Sequence, residues 1–418
     1  KQSSEERIAM QHAIKAAKTG FFPSVDFSGS YQYRINKYDL DFGPGMSVEM
    51  DHNTYSLGAT VSQPIYAGGQ IYNNYKAAQV QGKITEQAEE LTTDNIVYSA
   101  DLNYWTAAAR KGMYDVMCQY VDIVGELANV LTIRFNDGQI SKTDLLQVES
   151  RLKEAELNKS SAYKEYQIAL QNLNSLMGVS PLDPIEVEDS ITTYLALPLQ
   201  VGEDVALRNR PDYAISELNI EYQKRQINLS KAKYNPSLAI GFQGTWGTPM
   251  LNVKGSDQLW TPAVFASLKI PLFRWGARFK EVNSQKAILR SKEYALDNTR
   301  DKIAQEVANA WTSLTEYTKQ ITVAEEACKI AEENLDLNTF SYNEGKLPIL
   351  DVLSAQLSWI QSYSSLIQTW YQQKASLAQY RYSPFAVKET YLYLEDKVPY
   401  FGNEIRDLLY EIKRSLFR

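Results

Sequence analysis

The sequence predicts a mainly α-helical fold with transmembrane β-strands, built as two tandem copies of one strand-and-long-helix unit. Three observations carry this expectation. First, landmarks recur at one offset: Pro64, Gly69, Gly138 and Asp144 reappear as Pro271, Gly276, Gly345 and Asp351, each 207 residues later, which is the signature of an internal repeat. Second, four segments before these helical stretches alternate apolar and polar residues with the period of two of a strand. Third, no proline occurs between Pro64 and Pro181 or between Pro271 and Pro348, and both intervals are rich in Ala, Gln, Glu, Lys and Leu, which are strong helix formers.

In chain order, a helical segment from about Ser4 to Lys18 precedes a strand at about 25–35. There Val25, Phe27, Gly29, Tyr31, Tyr33 and Ile35 alternate with Asp26, Ser28, Ser30, Gln32 and Arg34. A second strand at about 54–65 sets Tyr55, Leu57, Ala59 and Val61 against Ser56, Gly58, Thr60 and Ser62. Strands of about ten residues match a bilayer crossing. The same alternation suits one sheet of a sandwich, but four strands close neither a sandwich nor a barrel on their own. Pro64, followed by Gly68 and Gly69, stands where strand gives way to helix, and Pro271 and Gly276 do the same in the second copy: proline suits a strand end or a first helical turn, and glycine a sharp change of direction.

A helix over about 70–135 would extend about 100 Å at 1.5 Å per residue. Its partner, at about 141–177, carries a heptad seam of Leu145, Val148, Leu152, Ala155, Lys159, Ala162, Tyr166, Ala169, Leu173 and Leu176, which predicts coiled-coil packing in an antiparallel hairpin. The second copy supplies a helical segment from Asp204 to Lys233, strands at about 238–247 and 263–272, and long helices at about 277–343 and 349–383. Domain boundaries follow at 1–200, 201–383 and 384–418. The last is an extension read as a strand-and-helix addition that packs with Val179 to Pro198. Phe22-Pro23-Ser24 matches Asn235-Pro236-Ser237 at an offset of 213, so the first copy carries six extra residues before Pro64, an insertion expected in a loop.

Composition removes several function classes. With 43 basic and 50 acidic residues the net charge is −7, against nucleic acid as a partner. Two histidines, His12 and His52, and two cysteines, Cys118 and Cys328, give no metal-ligand spacing and no catalytic string, so neither cofactor nor enzyme is expected. Both cysteines sit in helical patterns and are expected as free thiols. Gly43-Pro44-Gly45 lacks the glycine and lysine of a phosphate loop and reads as an extracellular loop. The 28 tyrosines suit surfaces with one apolar and one wet side; Tyr31, Tyr33, Tyr55, Trp246 and Trp260 are candidate membrane-interface aromatics, with simple sheet packing as the alternative. No run of 18 apolar residues exists, and Lys1 to Arg7 are too polar for a signal peptide. The chain is therefore either soluble or a β-barrel subunit inserted after its signal is removed.

Val61-Ser62-Gln63-Pro64-Ile65-Tyr66-Ala67-Gly68-Gly69 and the tips Gly138 to Leu146 and Gly345 to Leu353 resemble the TolC-like outer-membrane efflux proteins, over roughly residues 8 to 383. The resemblance implies a homotrimer in which four strands per subunit complete a twelve-stranded barrel in the outer membrane of a Gram-negative bacterium. It implies helices that form a periplasmic tunnel, a periplasmic adaptor protein at the tips and an inner-membrane pump that supplies energy. Asp351 matches an acid that rings the closed entrance; a helix-end acid is the alternative. Ser354 stands where a second acid is usual. Asp144 matches the first-tip position of a linkage that holds the entrance shut, but the usual basic partner falls at Leu347, with Lys346 adjacent. Gly138, Ser141, Thr143 and Gly345 resemble the adaptor-contacting surface, and ordinary cap chemistry is the alternative. Only about 20 residues precede Phe21, so the first copy is expected to begin part-way along its leading helix. A soluble coiled-coil scaffold with a β-tip is the competing function.

Overall fold

The computed structural model describes residues 1–36, 39–41, 43, 47–195, 197–249 and 252–382. They form α1 (Gln2–Thr19), β1 (Ser24–Tyr33), β2 (Asp39–Asp41), β3 (Ser47–Glu49), β4 (Asn53–Ala67), α2 (Gln70–Asn136), α3 (Lys142–Met177), α4 (Glu203–Asn209), α5 (Pro211–Ala232), β5 (Ser237–Gly247), β6 (Leu259–Lys269), α6 (Ala277–Asn343) and α7 (Ile349–Tyr382). Both α2 and α6 are 67 residues long, and they begin 207 positions apart, so the repeat holds in structure as in sequence. The extension at 384–418, Pro44 and Gly45 lie outside the described residues.

Three expectations need correction. The helical segment from Asp204 to Lys233 is two helices. Arg210 between them is extended, at φ −84° and ψ 122°, because the proline that follows excludes the helical region for the residue before it while suiting the first position of α5. The fourth main strand spans Leu259–Lys269 and not 263–272: its ladder ends where Lys269 faces Ser237, the first residue of β5, so 270–272 have no strand to pair with. Pro64 lies inside β4, at a register shift between Pro64 and Tyr66, whereas Pro271 lies beyond its strand. The segment with the six extra residues also carries a small second sheet of β2 and β3.

The chain forms two compact units. The first comprises Lys1–Glu89 and Asp212–Thr299. Its main sheet has the order β1-β4-β5-β6, antiparallel throughout, with β1 and β6 as open edges. The register sets Val25 beside Val61, Val61 beside Phe242 and Phe242 beside Val264. Paired residues point to the same side, so one sheet face is apolar across all four strands. Val25, Phe27, Val264 and Leu268 on it are exposed; among the described residues no element of the chain covers this face.

The second unit takes in Glu90–Pro211 and the residues from Arg300 onward. Its core runs through Val124, Leu131, Val148, Ala155, Val352 and Trp359. The seam of α3 is buried or half-buried throughout, Lys159 included. Cys328 is buried, Cys118 is half-buried, and both are free. Helix α2 does contain an 18-residue window of mean hydropathy 1.3, long and apolar enough to cross a membrane. Its Ala107, Ala108, Val116, Tyr120 and Val124 belong to the core of this unit, so it reads as a packed helix.

After α3 an irregular strap with buried Val187 and Ile191 lies on the helices. It is held by Tyr104 Oη donating to Asp189 at 2.5 Å, Lys111 Nζ donating to Val187 O at 2.7 Å and Lys374 Nζ donating to Thr193 O. Lys374 is only 1% exposed and sits 4.8 Å from the Trp105 ring and 5.2 Å from that of Trp370. Burial and the Arg381 charge lower its pKa to about 8, against the pull of Asp189 and Asp101. Between pH 8 and about 10.5 the unfolded chain therefore keeps a proton that the folded chain releases, so the contribution of Lys374 to stability rises with pH across that window. At 1.36 kcal/mol per pH unit the gain is at most about 3.5 kcal/mol. Denaturation midpoints of Lys374→Met should lack this rise; parallel curves for the two proteins would contradict it.

Candidate functional site

Two constellations assemble the residues singled out from the sequence, one at the helical tips and one on the sheet. Each tip begins with the same turn. At the end of α2, Gly138 N–H donates to Phe135 O at 2.9 Å and Gln139 N–H to Arg134 O at 2.8 Å; at the end of α6, Gly345 N–H donates to Tyr342 O and Lys346 N–H to Ser341 O, both at 2.9 Å. Gly138 and Gly345 have φ of 73° and 72°, the left-handed value this helix end requires.

The tips then diverge at the start of the next helix. Ser141 caps α3: its Oγ accepts from Asp144 N–H at 3.1 Å, and Asp144 Oδ2 accepts from Ser141 N–H at 3.3 Å and Ser141 Oγ–H at 2.8 Å. This capping box occupies the Asp144 carboxylate; Thr143 lies within the first helical turn and is exposed. In the second tip Pro348 replaces Ser141 and has neither hydroxyl nor N–H to offer. The Asp351 N–H donates to Pro348 O at 3.1 Å, while its exposed carboxylate has no hydrogen-bond or ion-pair partner among the described residues. The repeat thus places two acids at one position and leaves only the second one disengaged. Lys346 is exposed, 4.0 Å from Glu344, and makes no ion pair with Asp144.

What joins the tips was not visible in the sequence. Arg134 on α2 donates through Nη2 to Asn343 Oδ1 at 3.1 Å, and its guanidinium lies 5.2 Å from the centre of the buried Tyr342 ring. Arginine over an aromatic face is a favourable pairing, but residues 208 positions apart carry no local signal of it.

On the sheet, the register brings Tyr31, Tyr33, Tyr55, Trp246 and Trp260 to one face and one end, the end remote from the helices of that unit. Tyr31 is beside Tyr55 and Trp246 beside Trp260; the rings of Tyr55 and Trp246 are 6.1 Å apart, and Tyr33 stacks on His52 at 5.7 Å. Tyr31 Oη donates to Asn53 Oδ1 at 2.8 Å, so the hydroxyl edge is polar and the ring apolar. At the opposite end, Gly68 has φ 64°, and a Cβ there would lie 2.7 Å from Ala232 O. Asn235 Nδ2 donates to Gly68 O at 2.9 Å, joining the turn between α5 and β5 to the β4-α2 junction. Gly69 and Gly276 are also left-handed. Among the described residues no group of His, Cys, Asp or Glu is arranged to hold a metal ion.

Comparisons with known proteins agree with this architecture. The chain is 24% identical to nodulation protein T of Rhizobium leguminosarum bv. trifolii over 57% of its own length and 52% of that protein's, so this match spans about half of the relative. It is 19% identical to outer membrane protein TolC of Escherichia coli K12, covering 92% of this chain and 76% of TolC. Among solved structures, the outer membrane protein VceC of Vibrio cholerae superposes with a TM-score of 0.77 at 15% identity, over 92% of each chain. The model of the outer membrane efflux proteins matches residues 2–179 and 204–381, once for each repeat. This chain belongs to the outer membrane efflux protein family, and is an outer-membrane export channel protein and not an enzyme.

Proposed function

We propose that three copies of this chain close one twelve-stranded barrel and form a passive export duct for small molecules or secreted polypeptides. The observation that carries this reading is the main sheet: one face apolar on all four strands, and both β1 and β6 open. A bilayer satisfies the face, and closure through neighbouring copies satisfies the edges. The repeats at 1–200 and 201–383 would then surround the axis with six similar hairpins. The tips around Gly138, Ser141, Thr143 and Gly345 would meet a periplasmic adaptor, an inner-membrane pump would supply energy, and Asp351 would face the entrance with Asp144 and Lys346 nearby. Tyr31, Tyr33, Tyr55, Trp246 and Trp260 would sit at the outer lipid interface.

Purified protein in a planar lipid bilayer should pass monovalent ions under voltage without any nucleotide. Recovery of folded protein from the soluble fraction without detergent would defeat the duct and favour the coiled-coil scaffold.

A further inference from the structure

Within the first unit, α1, α2 and α5 border a cleft of about 460 Å³. Four cations converge on it from the three helices: Arg7, Lys76, Lys83 and Arg225. Glu86 and Glu221 also line it, which leaves an excess of positive charge, and Met10, Ile14 and Val80 add an apolar wall. The cations are only partly engaged. Arg7 Nε pairs with Glu89 at 2.7 Å. Arg225 Nη2 stands 3.6 Å from Glu221, and its Nε is buried with no hydrogen-bond partner among the described residues, an unfavourable state until an acceptor arrives. Lys76 Nζ donates to Gln79 Oε1 at 3.0 Å, one of the three bonds an ammonium can donate. Lys83 is exposed and has no ion pair or hydrogen bond among the described residues.

The repeat shows that wall packing alone does not call for these cations. At the offset of 213 that relates α1 to α5, Arg7 becomes Ile220; at 207, Lys76 becomes Asn283 and Gly82 becomes Leu289. The second copy thus folds the same helices without two of the four charges. Gly82 brings α1 close in the first copy, since a Cβ there would lie 2.6 Å from Ile14 Cδ1. The position of the cleft bears on its occupant. Its α2 residues, 76 to 86, stand 6 to 16 residues beyond Gln70, where that helix begins, or about 9 to 24 Å at 1.5 Å per residue. With the sheet in a bilayer, that is beyond a headgroup layer of about 5–8 Å, so the cleft faces solutes in water and not lipid headgroups.

We propose that this cleft of the first repeat binds a small water-soluble amphiphilic anion, its acidic group held by Lys76, Lys83 and Arg225 and its apolar body laid against Met10, Ile14 and Val80. Charge-assisted hydrogen bonds from several donors suit a carboxylate, sulfonate or phosphate, and the apolar wall favours one that carries a hydrocarbon or aromatic body. Ion conduction needs no such site, so the proposal stands apart from the duct. The test is calorimetric titration of the whole protein in nanodiscs of zwitterionic lipid, with empty nanodiscs subtracted. One ligand is 2-naphthalenesulfonate and the other its neutral counterpart, 2-naphthalenesulfonamide. The sulfonate should bind saturably and at least tenfold more tightly than the sulfonamide, and more weakly as salt rises. Lys83→Gln, at an exposed position, and Arg225→Gln should each weaken the sulfonate about tenfold, the effect of losing one charge-assisted bond, and leave the sulfonamide unchanged. No saturable binding of the sulfonate, equal affinity for the two ligands, or undiminished binding in Lys83→Gln would overturn the proposal and leave the four cations as a solvated ion network. The two wild-type titrations decide this even if Arg225→Gln fails to fold.

Discussion

Replacing Asp351 with Asn should lower the channel's preference for cations over anions at least tenfold at about 0.01 M salt, and should weaken block by multivalent cations. Three carboxylates about 6 Å from a pore axis lower the energy of a monovalent cation by about 2 kcal/mol in a medium of water-like dielectric. With a screening length of about 30 Å most of that survives; at about 1 M, where the length is about 3 Å, little does. The neighbouring acid provides an internal control. The Asp144 carboxylate is held by the Ser141 cap, so Asp144→Asn should cost α3 about 1 kcal/mol of end stability and leave selectivity nearly unchanged. Asp26, which lies on strand β1, should also matter less. Equal selectivity in wild type and Asp351→Asn, measured by reversal potentials at both salt concentrations, would show a helix-end acid with no part in the gate.

A positive charge on the apolar sheet face should be the most damaging substitution in the first unit. Phe242 lies mid-strand between Val61 and Val264, and arginine at the bilayer midplane of a barrel costs about 2–4 kcal/mol, a thirtyfold or greater loss of folded protein per copy at about 1.4 kcal/mol per factor of ten. Gln243, the next residue, points to the other face, where Gln243 Nε2 donates to Thr245 Oγ1 at 3.3 Å. Gln243→Arg should therefore assemble nearly as well as wild type. The yield of membrane-inserted protein separates the two, and equal yields would mean that the sheet does not meet lipid through the Phe242 side.

Periodicity made most of this fold legible. Alternation located β1, β4 and β5, since each strand has one face apolar, and the proline-free stretches located α2, α3, α6 and α7 to within a residue or two. Where the reading failed, partners decided: β6 ends where β5 has no more residues to offer, and Arg210 leaves the helix because of the proline after it. The tips were half legible. Glycine at 138 and 345 follows from the turn geometry, and the spacing from Ser141 to Asp144 is that of a capping box. The disengagement of Asp351 depends on Pro348 standing in for a cap, which shows only when the two repeats are compared in three dimensions. Arg134 over Tyr342 and Lys374 between Trp105 and Trp370 carry no periodic signal. Each depends on residues distant in sequence, and a lysine on a helix face reads as solvated until its neighbours are known.

The account rests centrally on assembly, because neither the open edges β1 and β6 nor the uncovered sheet face is stable in a lone chain in water. The most direct test is the protein mass of the purified, detergent-solubilised particle, obtained by light scattering with the detergent contribution subtracted. The account predicts three chains per particle, unchanged on dilution. A monodisperse particle of one chain that retains its β-sheet signal in circular dichroism would contradict it.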